Sequence, residues 1–241
     1  MREACRISAL ALRHVGEAVA PGVTTAELDA IAEAVIRDHD ATPAFKGYGG
    51  FPATICTSIN EELVHGIPSP HRVLSEGDIV TVDVGAVYQG FVGDTADTFA
   101  VGAIDAHSQR LIDVTREGLY AGIEQCVDGH RLGDVCAAIG AVGKQAGLGI
   151  VREYTGHGVG AKMHEEPTIP NWGTRGTGPK LKVGMTLALE PMFALGDGRV
   201  EVLGDGWTVV MRDGSRCAQI EHTVAITPDG PEILTITPDS V

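Results

Sequence analysis

Nowhere in the 241 residues does an apolar run reach eighteen, and Arg, His or Glu interrupts every such run in the first twenty, MREACRISALALRHVGEAVA. Neither a membrane-spanning helix nor the apolar core of a signal peptide is therefore expected. Paired thiols are missing as well. The five cysteines, Cys5, Cys56, Cys126, Cys136 and Cys217, are odd in number and never spaced C-x-x-C, which argues against a disulfide framework and a thiolate zinc site. A reducing cytosol fits this usage, and a cytoplasmic location is expected. Positive charge is also scarce. With 18 Lys and Arg against 32 Asp and Glu the formal net charge is −14, which leaves no broad basic surface for nucleic acid or an anionic membrane. There is no low-complexity segment, linker or short-period repeat. A hydrophobic share of 44% is ample for a packed interior, so one domain, or two halves sharing a core, is expected.

Helical spacing opens the chain. Ile7, Leu10, Ala11, His14, Val15 and Ala18 form an amphipathic stripe that Pro21-Gly22 ends, and Thr24 with Glu27 makes a capping-box pattern ahead of Leu28, Ile31 and Val35. Residues 105–147 predict two more helices, broken near Asp128-Gly129. Between and after these pairs lie strand patterns: ATICTSI, IVTVDVGAVY, GFVGDTADTF, MTLALE, WTVVM, CAQIEHTVAI and EILTI. Helix pairs alternating with groups of largely antiparallel strands predict an α+β fold, with helices covering one face of a curved sheet.

Two aspartates interrupt the most β-like part of the chain. With a two-residue turn at Tyr88-Gln89, the strands around VDVGAVYQGFVGDT form a hairpin in which Asp83 stands opposite Asp94. Like charges so placed repel unless something lies between them, and a divalent cation is the simplest such thing. Taken alone, the pair also fits a hairpin shifted by one residue, or an Asp solvated at the turn.

Three further segments carry polar groups where apolar ones are expected. MTLALEPM ends a strand in Glu190, CAQIEHTVAI carries Glu221 inside a strand, and TGHGVGAKMHEEP places His157 between glycines, with His164 seven residues on. Singly, each fits a solvated strand end, an outward-facing side chain or a turn. Together, Asp83, Asp94, His157, Glu190 and Glu221 supply four carboxylates and one imidazole, enough for two divalent ions at charge balance. Without metal, some of these carboxylates need raised pKa values. An oxygen-rich set with one nitrogen and no thiolate suits Mn²⁺, Fe²⁺, Co²⁺ or Zn²⁺, and the chemistry implied is metal-assisted hydrolysis.

In order and spacing, TSINEELVHGIP, VDVGAVYQGFVGDTADTF, TGHGVGAKMHEEPTIP, MTLALEPM and the pair DGWTVV and AQIEHT resemble the motifs of type I methionine aminopeptidases over nearly the whole chain. The resemblance implies the pita-bread (creatinase/aminopeptidase) fold and residues 1–241 as a single catalytic metallopeptidase domain. It makes Asp83, Asp94, His157, Glu190 and Glu221 the ligands of two divalent ions, with Asp94 and Glu221 bridging. His65 and His164 become substrate-contacting catalytic groups outside that set. Water activated between the ions attacks the carbonyl after an N-terminal methionine, His164 steadies the tetrahedral intermediate and Glu190 shuttles a proton. Tyr48, Phe51, Met163 and Trp207, with Val64 nearby, receive the methionine side chain. The implied substrates are nascent polypeptides with a small second residue, met by a monomer in transient contact with the ribosome, without binding nucleic acid or membrane itself.

Three departures from the family pattern stand out. Val64 precedes HGIP where Cys is common, Met163 precedes His164 where Phe is common, and the chain begins inside the first helix, as expected of a short bacterial-type enzyme without a zinc-finger-like extension. Two rivals share the fold. A prolidase or Xaa-Pro aminopeptidase usually carries a large extra N-terminal domain, whereas here about 80 residues precede Asp83. A non-catalytic binding protein arises where ligands are lost, and all five are present.

Overall fold

In the computed structural model, which describes residues 1–236, the chain opens with α1 (Arg2–Ala18), burying Ile7, Ala11 and Val15 along one stripe. The capping box forms as expected: Thr24 accepts from the Glu27 N–H (3.2 Å), and Glu27 accepts from the Thr24 N–H (2.7 Å), starting α2 (Thr25–Asp38). The second pair is α3 (Ala106–Ile123), capped by Asp105, and α4 (Leu132–Gln145). No helix among the described residues is long and apolar enough to cross a membrane.

Between the pairs lie β1 (Thr42–Pro43), β2 (Ile55–Ile59), β3 (Glu62–Val64), β4 (Ile79–Tyr88) and β5 (Phe91–Ala100). After α4 come β6 (Gly149–Ile150), β7 (Gly156–Gly158), β8 (Glu165–Ile169), β9 (Thr186–Leu189) and β10 (Met192–Ala194). The chain continues through β11 (Val200–Val202), β12 (Val209–Met211), β13 (Cys217–Gln219), β14 (Glu221–Thr227) and β15 (Gly230–Ile233). The main sheet runs β1-β4-β5-β14-β9-β7-β8, with β2 also on β4 and β15 on β14. Two three-stranded sheets, β13-β10-β6 and β11-β12-β3, adjoin it, and the pairings are antiparallel.

Two cores attach the helix pairs to the sheets. Ile7, Val15, Leu28 and Ile36 of the first pair pack with Ile55, Val80, Val82 and Val84. Leu111, Leu119 and Ile139 of the second pack with Leu187, Leu189, Phe193 and Val224. Burying each such side chain contributes about 1.5–3 kcal/mol. Because successive strand residues point to opposite faces, Val82 and Val84 facing the helices turn Asp83 to the other side, where it lines a cavity.

Two expectations are corrected. The β4–β5 turn falls at Gln89-Gly90, one residue later than expected, so Asp83 pairs with Ala96 and Asp94 with Gly85. Gln89 and Gly90 have φ of 48° and 80°, the two left-handed residues of a type I′ turn, and Gly suits the second where the bulky Tyr88 would be strained. Moving the turn by one residue shifts every partner by two, so both aspartates stay on one face as diagonal neighbours. The second correction concerns CAQIEHTVAI, which is two strands in different sheets, β13 and β14, parted at Ile220. MTLALEPM breaks likewise, β9 ending at Leu189 and β10 starting at Met192. Pro191 has no N–H to continue a ladder. The two breaks meet where the Ile220 N–H reaches the Pro191 carbonyl (3.4 Å), so paired strands cross together from one sheet to the other.

Candidate metal centre and adjoining pocket

Five adjacent strands of the main sheet each deliver one group. In spatial order, β4 carries Asp83, β5 Asp94, β14 Glu221 at its first residue, β9 is followed by Glu190, and β7 carries His157. Curvature draws the row together. His157 Nε2 is 3.7 Å from both Asp94 Oδ2 and Glu190 Oε1, and donor atoms of Asp94, His157 and Glu221 all lie within 4.8 Å of one another.

The protonation pattern of this cluster suits a cation. His157 Nδ1 lies 2.9 Å from the Gly158 carbonyl, an acceptor only, so Nδ1 carries the proton and Nε2 presents its lone pair. Burial holds the ring neutral, with its pKa lowered to about 4. Burial also pushes Asp83 up to about 7. Asp94, Glu190 and Glu221 are raised well above the carboxylate range, first by burial and then by one another's and Asp83's charges. Buried Asp83 Oδ1, Asp94 Oδ1 and Glu221 Oε1 have no hydrogen-bond partner. Orphaned carboxyl oxygens beside a free imidazole nitrogen are costly alone and fit a divalent ion, whose charge would favour their ionised form. Glu190 is the exception, with Oε2 accepting a hydrogen bond from Gln219 Nε2 (2.9 Å).

All twelve residues singled out from sequence line one cavity of about 200 Å³. The apolar side is built from the loop before β2. Gly47, Gly49 and Gly50 take positive φ and wind Tyr48–Gly50 into a single tight turn, which puts Tyr48 and Phe51 on the cavity wall. Phe51 meets Trp207 edge-on, ring centres 5.1 Å apart. Buried Val64 lines it from β3, and Met163 from the turn between β7 and β8.

The two non-ligand histidines both line this cavity. His65 lies 5.8 Å from the Tyr154 ring and 6.3 Å from Trp207, and it adopts φ 60°, a left-handed conformation. Such backbone costs about 1–3 kcal/mol and survives where surroundings enforce it. Here the Thr57 N–H donates to the Gly66 carbonyl (2.8 Å), and a side chain at 66 would strike the Thr57 backbone. His164 meets His157 edge-on, ring centres 4.3 Å apart, and its Nδ1 is 2.8 Å from Tyr48 Oη. Burial lowers the pKa of both His65 and His164, so both are neutral at pH 7.

Five cavity residues escaped the sequence reading: Phe45, Cys56, Tyr154, Thr155 and Gln219. Phe45 shares the glycine-rich loop of Tyr48, and Gln219 sits two residues before Glu221, so proximity to chosen residues was a usable signal for both. Cys56 is placed by pairing with Asp83 across β2 and β4, which no local pattern reveals.

A buried carboxylate and histidine cluster on an α+β sheet, open to an aromatic pocket, has the make-up of a metal-dependent catalytic site. The chain belongs to metallopeptidase family M24, whose sequence profile matches residues 1–228. It is 52% identical to the methionine aminopeptidase of Clostridium acetobutylicum over 236 residues, 98% of this chain and 94% of that protein. The crystal structure of methionine aminopeptidase from Thermotoga maritima superposes with a TM-score of 0.97 at 49% identity, covering 98% of this chain and 95% of that one. The prolidase from Pyrococcus furiosus matches at TM-score 0.77 and 26% identity, covering 98% of this chain but 62% of that one. The fold is the pita-bread fold expected from sequence.

Proposed function

We infer that this chain is a methionine aminopeptidase, a metal-dependent hydrolase that removes the N-terminal methionine of polypeptides whose second residue is small. The observation that carries this reading is a single cavity joining a cation-ready cluster to an aromatic-lined pocket, in a chain about half identical throughout to a curated methionine aminopeptidase. Asp83, Asp94, His157, Glu190 and Glu221 would hold two divalent ions, Asp94 and Glu221 shared between them, and Co²⁺, Mn²⁺, Fe²⁺ and Zn²⁺ all suit the donors. Bound there, such ions supply Lewis-acid polarisation and acidify water.

The protein's own groups do the rest. Glu190, tethered by Gln219, takes a proton from the attacking water and passes it to the leaving amine. His164 donates to the oxygen that gains charge in the tetrahedral intermediate, and His65, lining the same cavity, contacts the peptide. Tyr48, Phe51, Val64, Met163 and Trp207 enclose the methionine side chain, whose polarizable thioether packs well on aromatic edges. A charged Lys or Glu there would lose its hydration without gaining a partner. On this reading residues 1–241 act as one catalytic domain, a cytoplasmic monomer that meets nascent chains in transient contact with the ribosome.

The test compares Met-Ala-Ser, Leu-Ala-Ser, Lys-Ala-Ser and Met-Lys-Ser peptides under one metal condition. Met-Ala-Ser is cleaved fastest, Leu-Ala-Ser detectably, and the other two hardly at all. Equal turnover of the first and third, or of the first and fourth, refutes methionine removal. Cleavage of Ala-Pro with Met-Ala-Ser untouched places the chain functionally with the prolidases.

A further inference from the structure

We propose that Tyr48 is a positioning residue for His164: its phenol O–H donates to His164 Nδ1 and holds the imidazole as the tautomer protonated on Nε2. The inference rests on the reading of His164 as a donor to the reacting carbonyl oxygen. A neutral imidazole has one N–H and one lone pair, and which nitrogen holds the proton is set by the partner of the other. Tyr48 Oη and His164 Nδ1 are 2.8 Å apart, with the rings 5.5 Å apart and tilted by 43°. A phenol is a better donor than acceptor, because its oxygen lone pair is delocalised into the ring. The bond therefore runs from Tyr48 to Nδ1. Nε2 keeps the proton and is the ring nitrogen left for substrate, in a side chain that lines the cavity beside His157. The opposite tautomer would present a lone pair to an oxygen gaining negative charge, which is repulsive.

Both partners are held before they meet. The Tyr48 N–H donates to the Phe45 carbonyl (2.9 Å) and the Gly47 N–H to the Phe51 carbonyl (2.8 Å), fixing the turn. Helix α2 grips the turn at both ends: Glu33 pairs with Lys46 (2.8 Å), and Asp29 Oδ1 accepts from the N–H groups of Thr54 (2.8 Å) and Ile55 (3.0 Å). His164 sits in a turn closed by the Gly160 N–H on the Lys162 carbonyl (3.1 Å) and the Lys162 N–H on Glu165 Oε1 (2.9 Å). The Tyr48 to His164 bond thus joins two prearranged loops. Tyr48 lines the cavity, and its hydroxyl reaches His164.

Tyr48→Phe keeps the ring and removes the O–H. The first measurement is ¹⁵N NMR of the zinc-loaded wild-type protein, with the His164 signals identified by their loss in His164→Ala. A lone-pair Nδ1 and protonated Nε2 are expected, with the Nδ1 resonance moving toward its unbonded position in Tyr48→Phe. A proton on Nδ1 in the wild type overturns the proposal, independently of any variant or of which peptide is cleaved. The second is a double-mutant cycle on Met-Ala-Ser. Tyr48→Phe alone lowers kcat about five- to tenfold, the size of one neutral hydrogen bond, with KM and the Met-to-Leu ratio unchanged. In His164→Ala the same substitution has no further effect. An equal loss in both backgrounds, or a rise in KM alone, overturns the positioning role. Failure of the protein to cleave any Met-peptide defeats the assigned function and leaves the NMR result standing.

Discussion

His157 Nε2 lies 3.7 Å from Asp94 Oδ2, although their strands, β7 and β5, are three positions apart in the sheet. On a flat sheet that separation would be about 14 Å, three strand spacings. The reach of the two side chains and the curl of the sheet together make up the difference, with β9 and β14 broken at Glu190-Pro191 and Ile220 beside β10 and β13 of the smaller sheet. A row of side chains across five strands becomes a cluster able to share a cation.

Asp94 and Glu221 stand second and third in that row, and on the proposed reading both would serve two ions. Asp94→Asn or Glu221→Gln is expected to lower bound metal, measured by elemental analysis of anaerobically purified protein, together with activity on Met-Ala-Ser. Two metals and full activity in either variant would sink the shared-ligand assignment.

Chelation should make stability fall with pH. A carboxyl whose folded pKa is raised binds its proton more tightly in the native state, so stability drops as pH climbs from the unfolded pKa to the folded one. Asp83, raised to about 7, acts in this direction only up to about that pH, and the more strongly raised Asp94, Glu190 and Glu221 carry it further above pH 6.5. His157, lowered to about 4, is neutral when folded but about half-protonated when unfolded at pH 6.5, so it works weakly in the opposite sense as pH rises from there, by roughly a few tenths of a kcal/mol. Each such carboxyl costs up to about 1.4 kcal/mol per pH unit. Calorimetry in EDTA is expected to give a lower Tm at pH 8.5 than at pH 6.5, and added metal to remove the difference. A chelated Tm that rises over this interval contradicts the burial of the cluster.

Gly93, beside Asp94, is where α1 touches β5. A Cβ there would overlap the Ala4–Cys5 backbone, which cannot swing aside, and Ser8 Oγ donates to the Gly93 carbonyl (2.9 Å). Gly93→Ala is expected to lower unfolding stability by about 1–3 kcal/mol in urea, the usual cost of overpacking. An unchanged midpoint would mean that α1 does not rest on this strand.

Pocket selectivity should respond at Met163 and at Gly85. A Cβ on Gly85 would come within 2.9 Å of Met163 Cε, Phe45 Cε1 and Ala44 Cβ, so this bare backbone lets the pocket wall close against the carboxylate row. Met163→Phe and Gly85→Ala are both expected to change the Met-to-Leu ratio of kcat/KM, within the ~1–3 kcal/mol by which apolar pockets separate near-isosteres, while metal content holds. Lost metal in Met163→Phe, or an unaltered ratio in both variants, would remove Met163 from the pocket.

What the sequence determined by itself was everything governed by near neighbours. Helical spacing, the Thr24–Glu27 box and the Pro21-Gly22 stop located the first helix pair, since each depends on residues within one or two turns. Alternation located the hairpin and singled out Asp83, Asp94, Glu190 and Glu221, because a charge in an otherwise apolar strand stands out without knowledge of its surroundings. Tertiary structure decided what depends on pairing across the chain. The turn moved to Gln89-Gly90 because two left-handed residues were needed there, and Asp94 changed partner from Asp83 to Gly85. One apparent strand became two because its neighbour breaks at Pro191. Gln219 holding Glu190 and Tyr48 holding His164 join residues 29 and 116 positions apart, distances over which no local pattern carries information. Composition names the groups, whereas strand order and curvature set the few ångströms between them on which their chemistry depends.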